Sequence, residues 1–402
     1  MTAPSHPPVR RIPVRRRLAS LGVAWLVAAA VLRVTMLAPE QCPPFAATDA
    51  RAAAVAAIDW VAANQRADGR YLYEYQRRTG AASGAYNLVR HAATTMAVYQ
   101  LVAAGETRYL EAADRGLGYM LERMVPTGEG AAGWAEPGDD IQLGAVALLA
   151  KALLVRREAT GETGYDGELR AVGRFMVGQQ QDDGVMLESW LAGSAAADPT
   201  RRSRYATGEA LWALASLHDV FPGQGWDVAA WRTLDYLSLR RDDEERLFPN
   251  PWPDQWAAYS LGQMATWGLA DHHIAYARRL AAAFGVQVRW DAQRGGGIAS
   301  MTHPPEPRGA GFGTVLEGLG SLGILASHDE RLSDLDTVLA ERLVCGAARL
   351  AAAQTGGSDT VGDDPLREVG AWFRNDVTRM DDQQHAASGM LLAEAVLAGV
   401  ER

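Results

Sequence analysis

LGAVALLAKALL, residues 143–154, contains apolar and small residues with a single lysine, so a helix formed by it would be apolar around almost its whole circumference. The preceding segment YLEAADRGLGYMLERM, residues 109–124, instead carries charges around much of its circumference. A helix that is apolar all round is a buried helix, whereas a helix that is apolar on one side lies at the surface. The two segments therefore predict a surface helix followed by a buried helix.

This alternation recurs along the chain beyond residue 50, and TGEALWALASL (207–217) and HAASGMLLAEAVLAG (385–399) are further apolar second members. The six predicted helix pairs are 51–64 with 87–104, 107–124 with 141–157, 165–180 with 208–221, 226–240 with 254–267, 271–288 with 313–328, and 335–353 with 382–397. No persuasive alternating pattern predicts a strand. The predicted fold is all-α, a toroid with the second helices as its inner ring. An open α-solenoid is the alternative.

The predicted organisation resembles the (α/α)6 toroids of the six-hairpin glycosidases and, more loosely, the terpenoid cyclase and prenyltransferase toroids. The turns NQRADGRYLYEY (64–75) and QQQDDGVMLESW (179–190) support this, since Gln-x-x-Asp-Gly leads into a large residue as in sugar-processing toroids. YNLVRHA (86–92) and RMDDQQHAASG (379–389) look like blocks of an uncharacterised group of bacterial envelope-associated toroids. The resemblance covers about residues 51–402 and implies a carbohydrate-active protein.

The N-terminus predicts a membrane anchor. Five arginines within residues 10–17 precede an apolar run, residues 18–38, that is interrupted by Arg33. Basic residues before such a run stay cytoplasmic, so the rest of the chain is expected on the extracytoplasmic, periplasmic side. We predict a cytoplasmic tail (1–17), a single transmembrane signal anchor (18–38), a linker (39–50) and a toroid domain (51–402), with a cleaved signal peptide as the alternative.

Composition excludes several classes of protein. After residue 40 the chain has 33 basic and 47 acidic residues, a net charge of −14, which argues against nucleic acid as a partner. Two cysteines, Cys42 and Cys345, are too few for a disulfide framework, so we expect no disulfide contribution to stability. Walker-type phosphate loops, HExxH zinc motifs and nucleophile elbows are absent, so no cofactor or metal is expected.

The functional residues are predicted at the starts of the inner helices, because in a closed ring these helices run in one direction and their first turns surround one mouth. Long connections, such as 68–86, 181–206 and 354–381, also lead into this mouth. We predict Asp382, His385 and Glu209 as catalytic, and Asn87, Arg90, His91, Asp254, Glu317, Arg379, Asp381 and Trp252 as substrate-binding. Helix capping is the alternative for Asp254, Asp381 and Asp382.

Two features of this set favour acid–base chemistry. Asp382 and His385 are three residues apart, so one helical face presents a carboxylate and an imidazole together. Glu209 and Glu317 lie inside apolar helices, where a carboxylate is costly unless it has a partner or faces a wet cavity. Arginines 201, 202, 204, 374 and 379 cluster on the connections into the third and sixth inner helices, which makes an anionic glycan a plausible substrate.

The sequence therefore predicts an enzyme that hydrolyses, cleaves or epimerises an envelope or secreted polysaccharide, with polysaccharide-synthesis or export machinery as a possible partner. In the hydrolytic version, two carboxylates would flank the scissile bond. A non-catalytic glycan-binding or assembly scaffold is one alternative. An isoprenoid or terpenoid-type toroid enzyme is another, although MDDQQH (380–385) lacks the aspartate spacing that such enzymes need.

Overall fold

The computed structural model describes residues 14–35, 40, 42–292 and 307–399. Predictions for residues 1–13, 36–39, 41, 293–306 and 400–402 lie outside the described residues.

The first helix is α1 (Val14–Thr35). The outer helices are α2 (Ala47–Ala63), α4 (Leu110–Leu121), α6 (Asp166–Gly178), α8 (Trp226–Leu239), α11 (Asp271–Ala292) and α13 (Ser333–Ala351). The inner helices are α3 (Leu88–Ala103), α5 (Leu143–Thr160), α7 (Ala206–Val220), α10 (Gln255–Gln263), α12 (Gly309–His328) and α14 (Met380–Leu397). A short helix, α9 (Arg241–Glu244), follows α8.

The inner helices form a closed ring. Each packs against the next in the order α3, α5, α7, α10, α12, α14, and α14 in turn packs against α3. An open solenoid would leave its first and last helices apart, so the closed α/α toroid is confirmed and the solenoid alternative is wrong.

Burial explains which helices are inner and which are outer. In α7, every residue from Ala206 to Leu217 is buried, whereas α4 buries one face and exposes the other. Apolar area removed from water stabilises the fold by about 25 cal/mol per Å². The uniformly apolar helices therefore occupy the interior, and the one-sided helices enclose them.

Glycine at the contact between α12 and α14 allows these two inner helices to approach closely. A Cβ atom added to Gly313 would lie 2.5 Å from the backbone carbonyl carbon of His385. Real Cβ atoms do not come this close to backbone carbon, so a larger residue would push α12 and α14 apart. This close contact sets the distance between the side chains that the two helices carry.

Eight short strands in the connections were not predicted from the sequence. They are β1 (Glu74–Gln76), β2 (Ala81–Ala82), β3 (Met124–Gly128), β4 (Ala131–Trp134), β5 (Ile141–Gln142), β6 (Ser189–Leu191), β7 (Ala196–Ala197) and β8 (Val377–Arg379). They form three antiparallel sheets, in the orders β2-β1-β8, β3-β4 and β5-β6-β7. Tyr75 on β1 pairs with Thr378 on β8. The first and last long connections are thus joined where the ring closes.

A disulfide bond corrects the expectation drawn from the low cysteine count. Cys42 and Cys345 are bonded across a sequence separation of 303 residues, with their Cα atoms 5.1 Å apart. Ring closure brings the segment before α2 against α13, which places the two cysteines together. The carboxylate of Glu40 in the same segment forms an ion pair with Nε of Arg289 at 3.2 Å. The same carboxylate oxygen lies 3.7 Å from Nε of Arg342. The N-terminal segment is therefore fixed to the outer wall between α11 and α13.

Two helices bear on membrane association. By length and apolarity α12 could cross a membrane, but 83% of its apolar window is buried inside the toroid, which makes it a core helix. α1 instead exposes large apolar side chains, including Trp25 (74% exposed) and Leu26 (72% exposed), and contains four arginines. The transmembrane role of this N-terminal helix stays a prediction.

Candidate active site

A cavity of about 540 Å³ opens where the first turns of all six inner helices meet. This volume falls within the range of small-molecule binding sites. Seven of the residues predicted from the sequence line it: Asn87, Arg90, Glu209, Trp252, Arg379, Asp381 and His385. The prediction that the inner helix starts surround one mouth is confirmed.

His385 is held by a buried carboxylate. Its Nδ1 atom donates to Oε2 of Glu317 at 2.7 Å, and the Glu317 side chain is fully buried between α12 and α14. Gln384 donates to the other carboxylate oxygen at 3.3 Å. Nε2 of His385 has no partner among the described residues, and the ring borders the cavity. The imidazole is therefore fixed in orientation with one nitrogen directed at a ligand.

The protonation of His385 follows from these contacts. Burial lowers the pKa of the imidazole, but the charge and hydrogen bond of Glu317 outweigh burial and raise the pKa above its ordinary value. A histidine with a pKa near neutrality can exchange a proton with a substrate at physiological pH. Glu317 is thus positioned behind His385, and the sequence prediction that Glu317 binds substrate directly is corrected.

Asp381 lies between two arginines in the cavity wall. Its carboxylate meets Nε of Arg90 at 3.0 Å and Nε of Arg379 at 3.2 Å. Arg90 also donates to the hydroxyl of Tyr73. Asn87 accepts the backbone N–H of Arg90 at 2.9 Å, so it caps α3 as well as lining the cavity. The arginine side chains therefore enter the cavity already oriented by partners.

Glu209 enters the cavity from the opposite wall. α7 is three places from α14 in the six-helix ring, so Glu209 faces the helix that carries His385. Its side chain is buried, and none of the described residues forms a hydrogen bond or ion pair with its carboxylate. Burial, followed by the charges of Asp254 and Glu188, raises the pKa of Glu209 to about 8. Glu209 therefore carries a proton at neutral pH.

Space for this carboxyl group comes from Gly144 on α5. A Cβ atom at that position would overlap Oε2 of Glu209. A side chain larger than hydrogen would thus displace the carboxyl group from its place in the wall.

Asp382, predicted to be catalytic, does not line the cavity. Oδ1 accepts the backbone N–H of Ala310 at 2.9 Å and Nε of Arg308 at 3.2 Å. Oδ2 accepts the backbone N–H of Arg379 at 3.0 Å and so caps the start of α14. Burial and the neighbouring charge of Asp381 raise the pKa of Asp382 to about 7. Its carboxyl group holds α12 to α14, which corrects the prediction.

Asp254 and His91 are also structural, contrary to their predicted binding roles. Asp254 accepts the backbone N–H groups of Trp256 and Ala257 at the start of α10 and forms a fully buried ion pair with Arg241. His91 is enclosed: Nε2 donates to the Gly116 carbonyl at 2.8 Å. Neither residue borders the cavity, because their polar atoms turn toward neighbouring helices.

The enclosure of His91 also fixes its protonation state. Its Nδ1 atom accepts the Tyr86 hydroxyl at 2.6 Å, so both ring nitrogens are occupied by protein partners. Burial lowers the pKa of His91 to about 4. The imidazole is therefore neutral at physiological pH.

Several cavity residues were missed in the sequence. Arg308 lies one residue before α12, but the sequence pattern placed the start of this helix at Gly313, so the arginine was left in a loop. Tyr205, Trp256 and Gln384 also line the cavity. Gln384 is recognisable only in hindsight, since it shares with His385 the cavity face of α14. Of the five clustered arginines noted in the sequence, Arg379 alone lines the cavity.

A possible metal-binding group lies elsewhere, on the outer wall. Asp235, His272 and His273 have potential ligand atoms within 4.8 Å of one another. Nε2 of both histidines already donates to Oδ1 of Asp235, at 2.9 and 2.8 Å, and Nδ1 of His273 accepts the Ala270 N–H at 3.2 Å. These hydrogen bonds explain the group without an ion.

Comparison with known proteins shows the fold. No protein-family profile matches the chain, and no curated protein is similar in sequence. Among solved structures, cellobiose 2-epimerase from Spirochaeta thermophila superposes with a TM-score of 0.61 at 11% identity over 97% of this chain and 100% of its own. A D-mannose isomerase has a TM-score of 0.58 at 14% identity over 88% of this chain and 98% of its own.

A third solved structure binds an oligosaccharide. An inactive variant of a family 76 α-1,6-mannanase from a Salegentibacter species, in complex with α-1,6-mannotriose, has a TM-score of 0.59 at 10% identity over 87% of this chain and 99% of its own. These identities show a shared fold alone. The chain has the (α/α)6 toroid fold that these three solved structures share.

Proposed function

We propose that this protein is a carbohydrate-active enzyme that moves protons on a sugar, as an epimerase or isomerase does. The observation that carries the proposal is the His385–Glu317 pair, in which Glu317 holds Nδ1 and leaves Nε2 directed at the cavity. Solved proteins of the same fold include a sugar epimerase and a sugar isomerase. Trp252, Trp256 and Tyr205 supply aromatic surfaces on which a pyranose ring can stack.

Epimerisation needs proton transfer at both faces of one carbon, and the ring supplies a group on each side. His385 on α14 removes a carbon-bound proton from one face. Glu209 on the opposite wall, protonated at neutral pH, delivers a proton to the other face. Glu317 stabilises the imidazolium that forms. The arginine-held carboxylate of Asp381 and the arginines themselves orient the substrate.

Hydrolysis is the second candidate. A protonated carboxyl group in the cavity wall, as at Glu209, suits a general acid that protonates a leaving oxygen. Asp382 is occupied by backbone N–H groups and Arg308, so the carboxylate pair expected from the sequence is not available. The second group would then be Asp381 or His385.

Proton exchange separates the two reactions. The full chain is incubated in D2O with oligosaccharides and monosaccharides, and products are followed by NMR. Epimerisation or isomerisation incorporates deuterium at a ring carbon, whereas hydrolysis releases new reducing ends without that exchange. We expect exchange that is lost in His385→Ala and reduced by at least about 100-fold in Glu209→Gln. His272→Ala on the outer wall is the control. Sugar binding with neither reaction would favour the non-catalytic scaffold instead.

We also propose that the enzyme is anchored in the cytoplasmic membrane with the toroid on the extracytoplasmic side. The part of α1 that belongs to the predicted anchor, residues 18–35, is about 27 Å long, against a hydrocarbon core of about 30 Å, and residues 36–38 complete the predicted anchor. The Cys42–Cys345 disulfide supports an oxidising compartment, since disulfides are rare in the cytosol. The substrate would then be an envelope or secreted polysaccharide. Protease accessibility of the toroid in intact spheroplasts tests this orientation.

A further inference from the structure

We infer that the substrate of this site carries a carboxylate, as a uronic acid residue does, and that Arg90, Arg308 and Arg379 bind it. These three residues are called the arginine set. The inference rests on the proposed function, because it names the substrate class of the same cavity. All three side chains border the cavity, each from a different inner helix start: α3, α12 and α14.

Each arginine is held by at least one protein partner and keeps at least one terminal nitrogen without a partner among the described residues. Arg308 donates Nε to Asp382, and the described residues offer no acceptor to its two terminal nitrogens. Its side chain is 35% exposed. Arg379 donates Nη2 to Asp381 at 3.4 Å, and its Nε lies 3.2 Å from the same carboxylate without forming a hydrogen bond to a described residue. A guanidinium oriented in this way forms bidentate contacts with a carboxylate at little further entropic cost.

The balance of charge in the cavity favours an anion, although the protein as a whole carries a net charge of −9. The arginine set contributes three positive charges. Asp381 cancels one of them, and Glu209 is protonated because burial raises its pKa to about 8. Asp382 offsets Arg308, since it accepts Nε of that arginine at 3.2 Å, so one positive charge of the arginine set remains. Glu188 also lines the cavity, but its carboxylate lies 3.6 Å from Nε of Arg201, so an arginine outside the set offsets its negative charge.

Spacing along α14 relates the arginine set to the acid–base group. Asp381, which fixes Arg90 and Arg379, is four residues before His385, a rise of about 6 Å along the helix. A carboxylate held by the arginine set therefore brings the attached sugar ring to the side of the cavity where His385 lies.

This placement also gives the arginine set a role in the reaction. When His385 removes the proton from the carbon next to the carboxylate, the electron pair left behind is delocalised onto the carboxylate oxygens. The guanidinium groups stabilise that charge. Glu209 returns a proton to the opposite face, so the reaction needs no oxidant or cofactor.

An unpartnered buried acceptor supports a sugar as the body of the ligand. The Gln384 side chain is fully buried and lines the cavity, and its Oε1 atom has no hydrogen-bond partner among the described residues. A buried acceptor without a partner destabilises the structure, and a sugar hydroxyl that donates to Oε1 would remove this penalty.

Calorimetric titration of the full chain tests the inference. The probes are a glucuronic acid trisaccharide, a galacturonic acid trisaccharide, neutral cellotriose and mannose 6-phosphate. We expect a uronate trisaccharide to bind at least about tenfold more tightly than cellotriose at low salt, with a preference that weakens from 50 to 500 mM NaCl. Arg308→Gln should weaken uronate binding by about 10- to 100-fold, a much larger loss than for cellotriose. Arg278→Gln, an exposed ion-pair variant on α11, is the matched control.

The outcomes separate this inference from the proposed function. Equal or weaker binding of both uronates, tighter binding of mannose 6-phosphate, or a uronate preference that survives Arg308→Gln and Arg379→Gln would overturn the inference. Thermal unfolding of each variant excludes loss of folding, and Arg308→Lys should retain part of the preference. If uronates bind as expected but no sugar exchanges deuterium, the proposed function fails and the carboxylate site stands.

Discussion

At the scale of single residues, local partners decide what a histidine in this ring can do. His91 and His385 both lie near the starts of inner helices. His91 is closed in by Tyr86 and the Gly116 carbonyl, which leaves no ring nitrogen for a ligand. His385 shares one nitrogen with Glu317 and keeps the other at the cavity. The same residue type is therefore structural in α3 and available for chemistry in α14.

The Glu317 charge should control the pH dependence of the reaction. Because Glu317 raises the pKa of His385, and the base form of His385 is needed, kcat/KM should rise with pH through a value above the ordinary histidine pKa of about 6.5. Glu317→Gln removes the charge, lowers the pKa of His385 and moves this acidic limb toward lower pH. The measurement is a pH profile of kcat/KM between pH 4 and 9.

Glu394→Gln is the control for that profile, since Glu394 also lies on α14 but pairs with Arg51 on α2. In Glu394→Gln, kcat/KM should rise over the same pH range as in the natural protein. An unchanged limb in Glu317→Gln, with only a uniform loss of activity, would show that Glu317 does not set the protonation of His385.

The carboxylates at helix starts show that the position of a residue can be predicted from the sequence, whereas the direction of its side chain cannot. Sequence spacing places Asp254, Asp381 and Asp382 at the starts of inner helices, and all three lie there, Asp254 as the N-cap of α10. Whether a carboxylate turns inward to a ligand or back to cap its own helix depends on a side-chain rotation that spacing does not determine. Asp381 turns to the cavity, whereas Asp254 and Asp382 accept backbone N–H groups.

At the scale of elements, the helices were predictable because the amino-acid composition of each helix indicates whether it is buried or lies at the surface. An inner helix such as α7 is apolar throughout, and an outer helix such as α4 has one charged side. The strands were not predictable, because each has only two to five residues, too few for an alternating pattern to be recognised, and two of the pairings, β1 with β8 and β5 with β6, join segments far apart in sequence. β1 and β8, for example, pair only after the ring has closed.

Glycine at the α12–α14 contact gives a prediction for these elements. Gly313→Ala should lower the free energy of unfolding by about 1–3 kcal/mol, since the added methyl group overlaps the backbone of His385 and Ala386. Deuterium exchange should fall as well, because Glu317 and His385 lie on the two helices that are pushed apart. Chemical denaturation and the exchange assay measure the two effects.

Gly311→Ala on the same helix is the matched comparison for stability. A Cβ at Gly311 meets only the Arg308 side chain, at 3.7 Å, so the better helix propensity of alanine should stabilise α12 by up to about 1 kcal/mol. Similar losses in both variants would show that close approach at Gly313 is not what holds α12 against α14.

At the scale of the whole molecule, ring closure creates the site. Arg90 on the first inner helix and Asp381 on the last are distant in sequence, yet they form an ion pair because α14 packs against α3. Two further contacts span the same closure: the β1–β8 pairing and the attachment of the N-terminal segment to α13. Loss of closure should therefore affect the cavity as well as stability.

The disulfide is the part of this closure that can be removed without touching the cavity. It links residues 303 positions apart, and a cross-link over so long a loop restricts the unfolded chain strongly. Cys42→Ser with Cys345→Ser should lower the free energy of unfolding by about 2–5 kcal/mol in thermal or chemical denaturation.

Dithiothreitol should produce the same loss of stability in the natural protein and none in the double variant. At 25 °C, below its lowered melting temperature, the variant should still bind and exchange sugar as the natural protein does. Equal stability of the two proteins under oxidising conditions would mean that the Glu40 ion pairs and helix packing hold the N-terminal segment without the bond.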